Sequence, residues 1–355
     1  MDEVAALTTS ATLAEALPKH PNRALRPPLD ATLFEQCRLA GLPGRQTVSK
    51  YIRTRFGVDP FSGGYGMEEI FNLIYSDAAG DPPPPGCLDA YWALVRMYAR
   101  AIGSTTNPLT GTSRSGVGAL LRHFFNHATE PDLVFVTFNQ DLIIEKAIEA
   151  ARATNRYSHI PWSLRDTYCV SFKDYLVVHG SPRFRSTSGA STIPVLKMHG
   201  SLNWTYNVRS GTDARNAIRS PSGPLHCINS ANIATTLTTT GPKGRQIDMI
   251  PLVVPPIYEK ASRYSKAVAP VWSRAAAEIS NCDSLVIFGY SLPVADAWAR
   301  TMLRAAVHAN GKLTGVSVID PSAGSALRIR DVAGVRALHH YVDVPSFVST
   351  DRAQI

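Results

Sequence analysis

Apolar residues recur along this chain at two different spacings, and the change from one to the other falls near Leu133. Before that point the spacing is helical, predicting helices from Ala31 to about Leu39, Gln46 to Phe56, Met67 to Ser76, Leu88 to Ile102 and Gly116 to His127. Between them lie Gly41-Leu42-Pro43-Gly44, the turn-rich Asp59 to Gly66 and the proline run Pro82 to Pro85, none of which continues a helix. After Leu133, short runs rich in Val, Ile and Leu alternate with amphipathic stretches. Strands are expected at Leu133–Phe138, Tyr175–Val178, Pro194–Met198, Leu252–Val254, Leu285–Phe288 and Val316–Ile319. Helices are expected between several of them, at Asp141–Ala153, Tyr264–Ile279 and Ala295–His308. Such alternation predicts an α/β fold whose parallel sheet is covered on both faces.

Two stretches stand outside this scheme. Residues 1–30 hold no glycine and read as a short Ala/Leu/Thr segment followed by a basic, proline-bearing loop, Pro21 to Pro28. From Trp204 to Ile250 the chain is rich in Ser, Thr, Asn and Gly with little periodicity, and is expected to be a long irregular insertion. The predicted organisation is therefore a leading segment 1–30, a helical module 31–130, and a core 131–355 carrying the insertion 204–250.

Composition narrows the setting more than the chemistry. With 355 residues, 45% of them hydrophobic, the chain can bury a large core. No apolar run reaches the ~20 residues a membrane span needs, and the N-terminus lacks a signal-peptide pattern, so a cytoplasmic protein is expected. Five scattered cysteines, none spaced Cys-x-x-Cys, support neither a disulfide framework nor a tetracysteine zinc site. The formal charge of +8 suits an anionic ligand or nucleic acid, but the basic residues form no tract.

Candidate chemistry sits at four predicted strand ends, where ligands bind in open parallel sheets. The first is Thr137-Phe138-Asn139-Gln140-Asp141, a polar turn between strand and helix; Asn139 and Asp141 face either a ligand or simply the free N–H groups of the helix they precede. The second is Lys197-Met198-His199-Gly200, continuing into Ser201-Leu202-Asn203-Trp204. His199 there is suited to act as a base near neutral pH, with Gly200 permitting close backbone approach to a ligand; the alternative is a histidine satisfied by the core. The third is Gly289-Tyr290-Ser291-Leu292, either a phosphate-facing helix start or a tight turn with a cap, and the fourth is Asp320, either a ribose acceptor or a turn aspartate before Pro321.

Taken together and in this order, the motifs resemble those of sirtuins. Thr137 to Asp141 is similar to their Thr-Gln-Asn-Ile-Asp segment, His199-Gly200 to their catalytic His-Gly, and Gly289 to Leu292 to their Gly-Thr-Ser-Leu. In detail the chain resembles the bacterial SIR2-like family of NAD-consuming defence proteins, whose marks are Asn-x-Asp-x-Leu-Ile-Glu-x-Ala (here with Ile143 at the Leu position), His-Gly-Ser-Leu-Asn-Trp, a Val-Pro-Pro to Glu-Lys stretch (here Val254-Pro255-Pro256 to Glu259-Lys260) and Gly-Tyr-Ser-Leu-Pro-x-x-Asp. The resemblance spans roughly Leu133 to Pro321. It departs at two places: only His226 and Cys227 stand where sirtuin deacylases carry paired Cys-x-x-Cys zinc ligands, and no Gly-Ala-Gly-x-Ser loop precedes Pro27-Pro28-Leu29-Asp30. Either Leu7-Thr8-Thr9-Ser10-Ala11 replaces that loop, or the reading frame begins further upstream.

The resemblance implies a Rossmann-like, sirtuin-type NAD-binding fold with an inserted helical module. It implies an NAD hydrolase that cleaves the nicotinamide–ribose bond, an anti-phage abortive-infection effector held quiet until oligomerisation or a co-encoded protein activates it. Asn139 and His199 would be catalytic. Thr137, Asp141, Gly200, Gly289, Ser291 and Asp320 would bind NAD, and Asn203 and Trp204 would either line the pocket or serve the core. NAD is then the substrate, no zinc and no membrane are expected, and contact with nucleic acid stays open without support in the sequence. The alternatives are a non-catalytic module that binds NAD or ADP-ribose, and, third, an NAD-dependent protein deacylase.

Overall fold

The computed structural model describes residues 33–39, 41–106, 116–127, 133–177, 183–185, 192–207, 224–230, 238–240, 246–254, 260–294 and 296–351. The predicted leading segment 1–30 and the Pro255 to Glu259 part of the Val-Pro-Pro stretch lie outside them.

Five helices come first: α1 (Leu33–Leu39), α2 (Arg45–Phe56), α3 (Met67–Ala79), α4 (Cys87–Thr106) and α5 (Gly116–His127). Their positions follow the predicted periodicity closely. The hub is α4, which buries Tyr91, Leu94, Met97, Tyr98 and Ile102 and packs against α1, α2 and α3. On its other side it reaches the rest of the protein. The Trp92 ring meets Tyr206 edge-on at 6.3 Å, and the Tyr98 hydroxyl donates to Gln140 Oε1 at 3.3 Å. The helical block therefore shares one continuous apolar core with the sheets.

The second half is mixed α/β, arranged as three sheets among the described residues. Strands β1 (Phe135–Thr137) and β3 (Val195–Lys197) form a parallel pair, with Thr137 opposite Lys197. Helix α6 (Ile143–Arg152) follows β1 and packs against α5. Strands β8 (Ser284–Phe288), β9 (Gly315–Ile319) and β10 (Leu338–Tyr341) form a parallel triplet, so Phe288, Ile319 and Tyr341 end side by side. Around them lie α7 (Lys260–Asn281), α8 (Ala297–Ala309), α9 (Ala323–Ala333) and α10 (Val344–Asp351). These strand ends carry the motifs singled out in the sequence.

The third sheet corrects the prediction. The stretch expected to be irregular from Trp204 contributes most of a five-stranded mixed sheet, ordered β2 (Asp174–Leu176), β5 (His226–Ile228), β4 (Gly200–Asn207), β7 (Gln246–Val253) and β6 (Thr238–Thr240). Leu252, expected in a parallel strand, pairs antiparallel with Ser201. The alternation of Leu202, Trp204 and Tyr206 in β4 and of Ile247 and Met249 in β7 was there to be read, but the Ser/Thr/Asn/Gly-rich sequence between these two strands and the brevity of β5 and β6 obscured it. Trp204 is the anchor of this sheet: fully buried, it packs edge-on against Tyr168 at 5.1 Å and Phe172 at 5.7 Å.

One glycine is dictated by the join between these layers. Gly200 opens β4 at φ +78°, and a Cβ there would stand 2.0 Å from the Leu252 carbonyl oxygen on β7. Its missing side chain makes room for a neighbouring strand, where the sequence suggested room for a ligand. Both the left-handed backbone and the overlap oppose any substitution. Gly200→Ala is expected to destabilise the fold by about 3 kcal/mol or more, read as a lowered denaturation midpoint. A change below about 0.5 kcal/mol would refute this packing.

Candidate functional site

The ends of β1, β3 and β8 converge, and aromatic rings join them. Phe138, just past β1, stacks on Tyr290, just past β8, with ring centroids 4.8 Å apart and planes 14° from parallel. His199, just past β3, meets Phe138 edge-on at 5.1 Å and lies 6.3 Å from Trp272 of α7. Trp272 in turn donates its indole N–H to the Met198 carbonyl at 2.9 Å and stands 6.0 Å from Trp298. His199 is partly exposed and Trp298 is 57% exposed, so a ladder of rings runs from the surface to the imidazole. Exposed tryptophan at the rim of an aromatic cluster is the kind of surface that stacks on a planar ligand.

Beside the ring ladder lies the Asn139–Asp141 turn, which is enclosed. Asn139 is 1% exposed and Asp141 0%. The Asn139 amide N–H donates to Thr137 Oγ1 at 3.1 Å, and Asp141 Oδ1 accepts the Ile143 N–H at 2.8 Å at the start of α6. Asp141 therefore closes a local turn at the residue before the N-cap, Leu142, and the helix itself has no side-chain cap. The turn is also stitched to the His199 segment, because Met198 N–H donates to the Thr137 carbonyl and Leu202 N–H to the Gln140 carbonyl, both at 2.8 Å. Two motifs 60 residues apart are therefore held as one unit.

Beneath the turn lies a buried charge network that the sequence reading missed. Lys197 of β3 and Glu145 of α6 are both fully buried, with Nζ and Oε1 3.1 Å apart. Lys197 also donates to the Asp141 carbonyl oxygen. Glu145 Oε1 accepts the Tyr168 hydroxyl at 2.7 Å, Tyr168 accepts the Asn203 amide at 3.1 Å, and Asn203 Oδ1 accepts the Ser201 hydroxyl at 2.7 Å. Asn203 and Trp204 accordingly serve the core and do not line a pocket. The signal was present: a lysine interrupts the apolar run Val195-Leu196-Lys197-Met198, and a glutamate interrupts the apolar face Ile143, Ile144, Ala147 and Ile148. Buried charges of this kind need partners.

Desolvation sets the acid–base character of this region. Burial pushes the Asp141 carboxyl up to about 6, against the opposing pull of Lys197 and of the Ile143 amide. Burial likewise brings the Lys146 ammonium down to about 8, although Asp141 and Glu145 favour its charged form. The Tyr168 phenol is held well above its ordinary range by burial and by Glu145.

The remaining predicted residues are placed less centrally. Gly289 turns with φ +62° and its N–H donates to the Ile319 carbonyl at 2.9 Å, which sets it beside Asp320. Asp320 is 4% exposed; its Oδ1 accepts the Ser322 N–H at 2.8 Å, the turn role anticipated as its alternative. Ser291 is half-buried and its carbonyl accepts from Arg328 at 3.0 Å. Tyr290, unmarked in the sequence, donates to Asp296 Oδ2 at 2.8 Å and so fixes the ring that stacks on Phe138. Among the described residues no group of three or more His, Cys, Asp or Glu side chains could hold a metal ion, and no helix is long and apolar enough to cross a membrane.

Two expectations follow. Lys197→Met or Glu145→Gln strands the opposite buried charge and should cost about 3–5 kcal/mol each, whereas the double variant should recover most of that loss; additive losses in chemical denaturation would exclude a direct pair. The raised Asp141 means the folded state binds more protons than the unfolded state between pH ~4 and 6, so stability falls as pH rises through that window and is flat above it. The lowered Lys146 gives the opposite sign, stability rising from pH ~8 to 10. Asp141→Asn should remove the acid-side slope and stabilise the protein at pH 7 by on the order of 2 kcal/mol, measured as denaturation midpoints across pH.

Neither a family model nor a curated protein matches this chain, so the chemistry of the site is argued from its geometry and from the order of its motifs.

Proposed function

We propose that this chain hydrolyses NAD at the nicotinamide–ribose bond. The observation that carries this reading is the meeting of His199 with Phe138 and Trp272, and the stacking of the same Phe138 on Tyr290, which links three of the four sequence motifs through one aromatic cluster beside a partly exposed imidazole. The bond breaks through an oxocarbenium-like state, in which the electron pair leaves with nicotinamide while water adds at the ribose carbon. His199 takes the proton that water or a ribose hydroxyl gives up. Trp298 and Trp272 offer flat faces for a departing ring. Asn139 positions ribose or water and Asp141 the carboxamide, which requires the enclosed turn to open toward the ligand. Gly289, Ser291 and Asp320 face the adenosine half. In this reading the protein is a SIR2-like defence effector, and activity appears with oligomerisation or a co-encoded activator.

Purified protein, with and without its genetic neighbours, is expected to release nicotinamide from NAD, and His199→Ala or Asn139→Ala to lower that rate about 100-fold or more. Turnover unchanged in both variants would sink the assignment. A second reading is favoured by the local turn bonds that already engage Asp141 and Asp320, each accepting the backbone N–H two residues on: a module that binds NAD or ADP-ribose without cleaving it. Calorimetric titration separates the two, since the module binds NAD and releases no nicotinamide under any activating condition.

A further inference from the structure

The helical block carries a concave surface that the proposed chemistry does not use. One face of α2, formed by Arg45, Gln46, Ser49, Lys50, Arg53 and Thr54, is walled by Arg38 of α1 and by Asp59 and Phe61 of the short turn after α2. Together they enclose a groove of about 570 Å³, within the range of about 300–1,000 Å³ typical of small-ligand sites. Four cations and a single carboxylate line it. Asp59 is engaged by Arg53, by the Ser49 hydroxyl at 3.2 Å and by the Phe61 N–H at 3.1 Å. Arg38, Arg45 and Lys50 have no carboxylate partner among the described residues; Arg45 instead donates to the Arg38 carbonyl at 3.2 Å. The whole of α2, RQTVSKYIRTRF, holds four basic residues and no acidic one.

Gathering unneutralised like charges in a concavity opposes folding by mutual repulsion, and an anion reverses the sign of that effect. Arginine adds a geometric argument, because its planar fork matches phosphate oxygens two at a time. Phe61, at the wall, offers an apolar surface beside the charges.

We infer that this groove binds a phosphate-bearing ligand, held by Arg38, Arg45 and Lys50 with Phe61 against its less polar part. A free nucleotide and the phosphodiester chain of a single-stranded nucleic acid present the same chemistry, and size favours the nucleotide. The inference is independent of NAD cleavage and its readout is binding.

The test uses the full chain and its Arg38→Glu/Lys50→Glu variant, both positions being exposed, with ATP, inorganic pyrophosphate and a labelled single-stranded oligonucleotide as probes at low salt. His199→Ala is run alongside and should bind as the wild type does, which separates this groove from the candidate active site. Binding of at least one probe is expected, weakened about tenfold or more in the charge-reversed protein while its melting temperature holds, and retained in Arg38→Lys/Lys50→Arg. If the oligonucleotide is the ligand, the slope of log affinity against log salt should fall by about 1.4 for two lost phosphate contacts. ATP binding with no oligonucleotide binding identifies the nucleotide. Failure of every probe to bind below about 1 mM, or equal binding by the charge-reversed protein, would overturn the inference.

Discussion

Everything near the candidate site depends on one buried ion pair. Lys197 and Glu145 have no access to solvent, and each is tolerable only because the other is there. Lys197 sits on the strand that ends in His199; Glu145 sits on the helix that begins after Asp141. The pair therefore clamps a strand to a helix, and the extra bond from Lys197 to the Asp141 carbonyl sets the height of the intervening turn. Replacing such a pair by apolar side chains often costs little stability. Its value here lies in register: only one alignment of β3 against α6 satisfies both charges, the Tyr168 hydroxyl and the Asn203 amide at once.

The same arrangement explains why aromatic residues connect the two parallel sheets. The β1–β3 pair and the β8–β9–β10 triplet are separate ladders among the described residues. Between them Val136, Phe138, Leu285, Ile287, Tyr290 and Leu292 line a small apolar cavity. Without ladder hydrogen bonds, the relative placement of His199 and Gly289 must come from side-chain packing. The stacked Phe138–Tyr290 pair supplies it, with the Tyr290 hydroxyl fixed on Asp296. Rings fix distance and tilt while allowing more sliding than a backbone ladder, so this seam is the softer boundary of the site.

Much of this was legible in the sequence, for identifiable reasons. Helices α2 to α5 and strands β8 and β9 follow periodic apolar patterns, and pattern is the strongest local signal. Polar residues placed just after apolar strands pointed correctly to the carboxyl ends of β1, β3, β8 and β9. Burial and partnership were not legible. Nothing local to Asn203 or Trp204 distinguishes a pocket wall from a core, and only the fold shows Asn203 between Tyr168 and Ser201. Gly200 showed a glycine requirement without its cause, which lies more than 50 residues away at Leu252. The mixed sheet was missed because β5 and β6 are three residues long and the sequence between the alternating runs Leu202/Trp204/Tyr206 and Ile247/Met249 is rich in Ser, Thr, Asn and Gly, so two genuine strand patterns read as part of one irregular stretch.

The enclosed Asp141 links stability to chemistry. A carboxyl raised to about 6 by burial is held in the folded state at a cost near neutral pH. The turn bond to Ile143 alone does not demand that cost, since an asparagine side-chain oxygen at the same position accepts it equally well. Lys197 offsets part of it, yet that ammonium is already committed to Glu145. A group kept at such expense in the turn that is bonded to the His199 segment fits a site where a change of protonation or a ligand's donor completes the balance. Under the proposed function the turn would open from this closed form onto a substrate, with the buried Lys197–Glu145 pair as the fixed floor beneath it.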